Sequence, residues 1–266
     1  MRLVISDEPR KDYRALVWDT FFLKRSRGTA LRNHFPNLYA FDPSFWYAYA
    51  FIGEELAAGV CIREKVHGVE SVVVGALGLV CVSEVFRGRK ISHQILQRVI
   101  SVAKDRGCVA LTLWTGIPDL YEKLGFYVND DSLFGSIKLP AHRENIAVAQ
   151  VDSVELLQGL PPFATSGRVV RHRDGTVTLL NTPAGEAIVS WSGCEKAICD
   201  LLLGLGHRSL FLNAREGDSL MLELEASGFE IHMKGNNIQM WHELGAKSVV
   251  NRMWCEITNY RVLDRI

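Results

Sequence analysis

Two kinds of hydrophobic spacing alternate along this chain. Residues 12 to 23 carry Tyr13, Leu16, Val17, Thr20 and Leu23 at helical intervals, which predicts a helix, and the basic, turn-prone stretch from Lys24 to Asn33 predicts a loop. Ala48 to Ile52, a turn at Gly53-Glu54-Glu55 and Leu56 to Arg63 read as a β-hairpin, because glycine permits the turn and both flanks are strand-like. A second turn falls at His67-Gly68. Ser71 to Val82 is then almost continuously apolar and rich in valine, the pattern of a strand buried on both faces. That run ends at Arg87-Gly88-Arg89-Lys90, after which Ile91, Ile95, Leu96, Val99, Val102 and Ala103 mark one face of a helix that stops near Arg106-Gly107. Val109 to Trp114 is the next buried strand. Pro118 opens a short helix to Leu124, Gly125 stops it, and Phe126-Tyr127-Val128 returns to strand.

The same order recurs further on. Residues 140 to 168, with Pro140, Pro161, Pro162 and Gly167, read as a junction containing one short helix around Val154 to Leu157. Beyond it come a hairpin at Arg173-Asp174-Gly175, a strand from Glu186 to Trp191, a helix from Glu195 to Leu203, a strand from Ser209 to Asn213, a helix from Ser219 to Ala226, and Gly228-Phe229. Trp191 stands as far before Gly228 as Gly88 does before Gly125. The expectation is therefore two domains, residues 1–142 and 143–266, the second a repeat of the first.

Composition narrows the chemistry. The chain has 266 residues, 48% of them hydrophobic, enough for one large or two small cores. Its 30 basic and 30 acidic side chains cancel, which argues against wholesale attraction to nucleic acid or to an anionic membrane and favours a small-molecule or peptide substrate. Six cysteines (Cys61, Cys81, Cys108, Cys194, Cys199, Cys255) form no C-x-x-C pair and several lie in apolar runs, so they read as reduced structural thiols. Asp7 and Glu8 fall where a signal peptide needs apolar residues, and no run of about 18 apolar residues occurs, so a cytoplasmic protein is expected. Between Phe35 and Phe51 lie eight aromatics, Phe35, Tyr39, Phe41, Phe45, Trp46, Tyr47, Tyr49 and Phe51. These fit rings packed into a core better than an aromatic-lined pocket.

The turn at residues 87–90 carries the candidate chemistry. A buried strand that stops at a glycine-containing turn and opens a helix gathers backbone N–H groups at the positive end of the helix dipole, where phosphates bind. Arg87, Gly88, Arg89 and Lys90 add charge and close backbone approach, and suit a pyrophosphate; a solvated basic loop is the alternative. Phe86-Arg87-Gly88-Arg89-Lys90-Ile91-Ser92 resembles the acyl-CoA pyrophosphate loop of the GNAT (N-acetyltransferase) superfamily, whose pattern is Arg or Gln, two residues, Gly, one residue, then Gly or Ala. Tyr121-Glu122-Lys123-Leu124-Gly125-Phe126 is similar to that superfamily's Tyr-x-x-x-Gly-Phe element in place and spacing. Lys90 stands where the pattern has glycine, and Ser92 where it has glycine or alanine.

This resemblance implies an α/β (α+β) fold: a mixed, mostly antiparallel sheet flanked by helices, followed by a second, smaller GNAT-like domain. It further implies an N-acyltransferase that uses acetyl-CoA as co-substrate and needs no metal. Leu79, Val80, Cys81 and Val82 would present backbone amides to the thioester, and Arg87, Gly88, Arg89, Lys90, Ile91 and Ser92 would hold the pyrophosphate. An amide donor at the growing oxyanion is worth about 3 kcal/mol in comparable sites. Tyr121 would protonate the leaving thiolate. Glu84 is a candidate base that can equally cap its own turn, and His34 and His93 are further candidates. No histidine pair has metal-ligand spacing.

A non-catalytic GNAT-like module that binds CoA or a protein remains the alternative, whereas a nucleotide-binding α/β protein would need a G-x-G-x-x-G or Walker pattern, and neither occurs. The expected partner is a small-molecule or peptide amine acceptor, with no nucleic acid or membrane, and the chain a monomer or homodimer. In the second half Ser192 and Glu195 have capping-box spacing, and Leu224 takes the tyrosine's place ahead of Gly228-Phe229, so that half is expected to be degenerate and to bind no CoA.

Overall fold

The computed structural model describes residues 1–23, 30–68, 71–140, 152–156, 159–161, 163–206 and 209–245. The elements are β1 (Arg2–Ser6), α1 (Lys11–Phe21), α2 (Leu31–His34), β2 (Phe45–Ile52), β3 (Glu55–His67), β4 (Val72–Val82), α3 (Ile91–Asp105), β5 (Cys108–Trp114), α4 (Asp119–Glu122) and β6 (Tyr127–Val128). There follow β7 (Ser132–Lys138), β8 (Asp152–Leu156), β9 (Ser166–His172), β10 (Gly175–Thr182), β11 (Gly185–Gly193), α5 (Glu195–Gly204), β12 (Ser209–Arg215), α6 (Ser219–Ala226), β13 (Glu230–Gly235) and β14 (Gln239–Glu243). They form two compact units: Met1–Asn129 with the described residues from Ile238 onward, and Asp130–Asn237. The boundary expected at 142/143 lies outside the described residues, as does most of the loop expected after α1.

The sheet of the first unit runs β1-β2-β3-β4-β5-β14-β6. Alternation along β2 decides what each face holds. Trp46, Ala48 and Ala50 point to the core under α3, while Tyr47, Tyr49 and Phe51 point to the core under α1. The aromatic-rich segment is thus mainly packing, although Tyr39 and Phe41 remain exposed. On α3 the buried side chains are Ile91, Ile95, Leu96, Val99, Val102 and Ala103, the stripe anticipated from the spacing. Each large aliphatic withdrawn from water contributes about 1.5–3 kcal/mol, so this stripe outweighs helix propensity in fixing α3.

The sheet of the second unit, read from its far edge, runs β8-β9-β10-β11-β12-β7-β13. The two orders match strand for strand, with one reciprocal exchange. β14, from the end of the chain, lies between β5 and β6, and β7, which follows β6 directly, lies between β12 and β13. Strand, helix, strand, helix, strand therefore recur as β11, α5, β12, α6 and β13. Residues 152–156 form an edge strand paired with β9 where a helix was expected. The apolar positions of that segment fit either element, and pairing with β9 decides in favour of the strand. The capping box is also corrected. Ser192 is held in β11 opposite Thr176, Cys194 is the N-cap with no side-chain bond, and Glu195 instead accepts the Ser219 hydroxyl.

Candidate active site in the first unit

β4 and β5 are parallel neighbours only from Val73↔Cys108 to Ala76↔Thr112. Beyond that point β4 stays with β3 as far as Val82, while β5 continues beside β14 to Trp114. The two central strands thus part company, and Leu77 to Val82 have no ladder partner in β5. Within this stretch the β3 register passes from Cys61↔Gly78 to Gly59↔Cys81, so Leu79 and Val80 together oppose Val60. This is a β-bulge, and Leu79 adopts a left-handed φ of 52°. Its carbonyl accepts the Tyr13 hydroxyl at 2.8 Å. Burial pushes the neighbouring Cys81 thiol up to about 12, which makes it a core thiol.

From Val82 the chain enters a short 3-10 turn at Glu84–Phe86 and then the basic loop. Phe86 anchors the turn in the core under α3, and Arg89 lies over its ring at 5.6 Å. Arg87 donates to the Val82 carbonyl at 3.3 Å and pairs with Glu84 at 3.3 Å. Glu84 is thus placed on the exposed loop beside Arg87. Gly88 has φ 76°, and a Cβ there would meet nothing within 4 Å, so this face of the loop is open. Lys90 is the N-cap of α3 at φ 57° and ψ 23°, with no side-chain cap bond. It takes up the left-handed conformation that the glycine of the pattern would supply. Arg87, Gly88, Arg89 and Lys90 are all exposed, and no side chain caps the helix start, so the arrangement suits an anionic ligand.

Tyr121 sits on α4, in the same core cluster as Phe86 and Ile91. Its ring meets Phe126 edge-on at 6.0 Å. Burial alone raises its phenol to about 12, and among the described residues its hydroxyl has no hydrogen-bond partner. Gly125 ends the helix at φ 85°, letting the Phe126 N–H reach back to the Tyr121 carbonyl at 3.2 Å. The ring of His242, on β14, lies where a Gly125 Cβ would meet it at 3.0 Å. Of the two histidine candidates, His34 is buried against Phe22 and His93 is half-buried in the first turn of α3. Sequence reasoning missed both Tyr13 and β14. Tyr13 reads as an ordinary core position of α1, and β14 reaches this sheet from more than a hundred residues away.

The second unit keeps the frame without the loop. β11 and β12 also pair briefly, at Ala187↔Phe211 and Ile188↔Leu212, and β11 also has an irregularity opposite Thr178/Leu179. Its helix α6 ends as α4 does, with Gly228 at φ 82° and the Phe229 N–H bonded to the Leu224 carbonyl at 3.0 Å. Leu224 therefore occupies the place of Tyr121. β11, however, runs through Cys194 straight into α5, with nothing corresponding to residues 83–90.

Residues 10–126 match the model of the Acetyltransferase (GNAT) family. That stretch is thus similar to the GNAT family, and the chain has a tandem GNAT-like fold. A GCN5-related N-acetyltransferase from Kribbella flavida is similar, with 14% identity and a TM-score of 0.65 over 94% of this chain and 73% of that one. So is a probable N-acyltransferase of unknown function from Enterococcus faecalis, with 13% identity and a TM-score of 0.68 over 94% and 75%. A tandem GNAT protein from the clavulanic acid biosynthesis pathway matches over 92% of this chain and 100% of its own, with 12% identity and a TM-score of 0.53. No curated protein matches the chain by sequence. At such identities the structural likeness speaks for the fold. The GNAT match ends at Phe126 and so leaves out β14, although that strand completes the same sheet. No helix among the described residues is long and apolar enough to cross a membrane.

Proposed function

We propose that the chain is an N-acyltransferase that moves an acetyl group from acetyl-CoA to a primary amine by direct attack in a ternary complex. The observation that carries this reading is the open, uncapped and basic start of α3, with left-handed Gly88 and Lys90, set directly after the stretch where β4 leaves β5. Arg87, Gly88, Arg89, Lys90, Ile91 and Ser92 hold the pyrophosphate, and the amides of Leu79 to Val82 face the thioester. The amine nitrogen attacks the carbonyl carbon, a C–N bond forms, the C–S bond breaks, the nitrogen gives up a proton and the sulfur takes one. Tyr121, raised to about 12, stays protonated at neutral pH. Full transfer to a thiolate whose acid has a pKa of about 8.5 is uphill from there, so the phenol acts first as a hydrogen-bond donor to the departing sulfur. Glu84 or a histidine takes the amine proton. The second unit, lacking the loop and the tyrosine, binds no CoA. A non-catalytic CoA-binding module is the second reading, favoured by Lys90 in the glycine position.

A thermal scan with acetyl-CoA, followed by an amine panel read by release of free thiol, tests the proposal. Acetyl-CoA should raise the melting temperature, and Tyr121→Phe should lower turnover about 10- to 10³-fold at nearly unchanged acetyl-CoA affinity. No thermal shift would sink the acyl-CoA reading. A thermal shift without thiol release from any amine would favour the non-catalytic module.

A further inference from the structure

We propose that Tyr13 is the positioning residue that sets the β4 bulge for the acyl group, an inference that rests on the acyl-transfer reading above. Leu79 is left-handed, a conformation that costs a non-glycine residue about 1–2 kcal/mol, so something must hold it. Beyond Ala76 the adjoining strand β5 no longer does so. The Tyr13 hydroxyl from α1 reaches across and donates to the Leu79 carbonyl at 2.8 Å. Both partners are buried, and burial keeps the phenol well above its ordinary pKa, hence always a donor. The ring has little room to move. It lies on the backbone of Gly59, where a Cβ would approach it to 2.3 Å, and it meets Tyr47 and Tyr49 edge-on at 6.2 and 5.4 Å. Gly59 pairs with Cys81, so ring and hydroxyl brace the bulged stretch between them.

The second unit supplies a control. β11 carries an extra residue, Val189, at the corresponding place, yet Val189 is not left-handed, and no counterpart of α1 is present among the described residues of that unit. The left-handed bulge occurs where the tyrosine does. Without the hydroxyl, the buried Leu79 carbonyl would lose its partner, and the stretch would relax toward ordinary extended backbone. The neighbouring amides would then turn away from where the carbonyl oxygen lies.

The test is isotope-edited infrared spectroscopy of carbonyl-¹³C acetyl-CoA bound to the full chain, which needs no acceptor. In the parent protein the thioester carbonyl band should shift down on binding. In Tyr13→Phe most of that downshift should be lost while acetyl-CoA still binds. Val17→Ala, a buried truncation one turn along the same helix, should lower the melting temperature yet keep the downshift. Should Tyr13→Phe fail to fold, Gly59→Ala, which displaces the ring and keeps the hydroxyl, should lose the downshift instead. An unchanged band in Tyr13→Phe, or equal loss in Val17→Ala, overturns the role of Tyr13 and leaves the acyl-transfer reading standing. Failure of the parent protein to bind acetyl-CoA overturns that reading, and this inference with it.

Discussion

The two units share a strand order, a brief central parallel pairing and a glycine-terminated helix, yet only the first has an eight-residue loop between its central strand and the next helix. In the second unit a single residue, Cys194, makes that connection, and Glu195 places a carboxylate at the helix start. The Ser219 hydroxyl bonded to that carboxylate holds its pKa below the ordinary range, so it is charged at neutral pH. A charge of that sign repels a pyrophosphate. Architecture alone thus does not make an anion site. Under the proposed function the loop, its glycine and its basic side chains supply it, and they are local additions to a common frame.

The first unit depends on a strand from far along the chain. Trp241, on β14, is fully buried in the first unit although it comes from the far end of the chain. Trp241→Ala should cost about 3–5 kcal/mol, read as a fall in the denaturation midpoint. A loss of a few tenths would mean that the sheet does not depend on β14.

A second lever is alkaline pH, because all the tyrosines in the described residues lie in the first unit. Burial raises Tyr13, Tyr47 and Tyr49, and lifts Tyr121 from 10.0 to about 12. A raised phenol contributes stability that is fully present below the unfolded value and is lost as pH climbs through the folded one. For Tyr121 the loss falls between pH 10 and about 12 and is on the order of 2–3 kcal/mol. Denaturant titrations at rising pH should show the decline beginning above pH 10, and a flat midpoint to pH 12 would contradict it.

The smallest effect sharpens the loop itself. Lys90 pays twice in stability, for a left-handed φ and for a cation at a helix N-terminus. Lys90→Gly should therefore stabilise the protein by about 1 kcal/mol and weaken acetyl-CoA binding. Unchanged affinity would remove Lys90 from the anion site and leave only its cost.

Much of this was legible from spacing. The α3 stripe, the buried valine run of β4, the stops at Gly88 and Gly125, and the β-α-β-α order of the second half follow from local period and turn chemistry. What escaped depends on partners distant in sequence. Nothing in Ser132–Lys138 or Gln239–Glu243 says which sheet each strand joins, because both patterns satisfy either. Asp152–Leu156 is a strand because β9 pairs with it. Ser192 matches a capping box until its backbone is seen to be engaged by Thr176. The Tyr13 hydroxyl meets a carbonyl 66 positions away, and no local pattern announces that.

The most direct test of the central claim is calorimetric titration of the full chain with acetyl-CoA. One site per chain is predicted, abolished when Arg87 and Arg89 are both replaced by alanine and unaffected by Glu195→Ala. Two sites per chain would contradict the assignment of the second unit as a frame without a loop, and no binding at all would contradict the acyl-CoA site in the first.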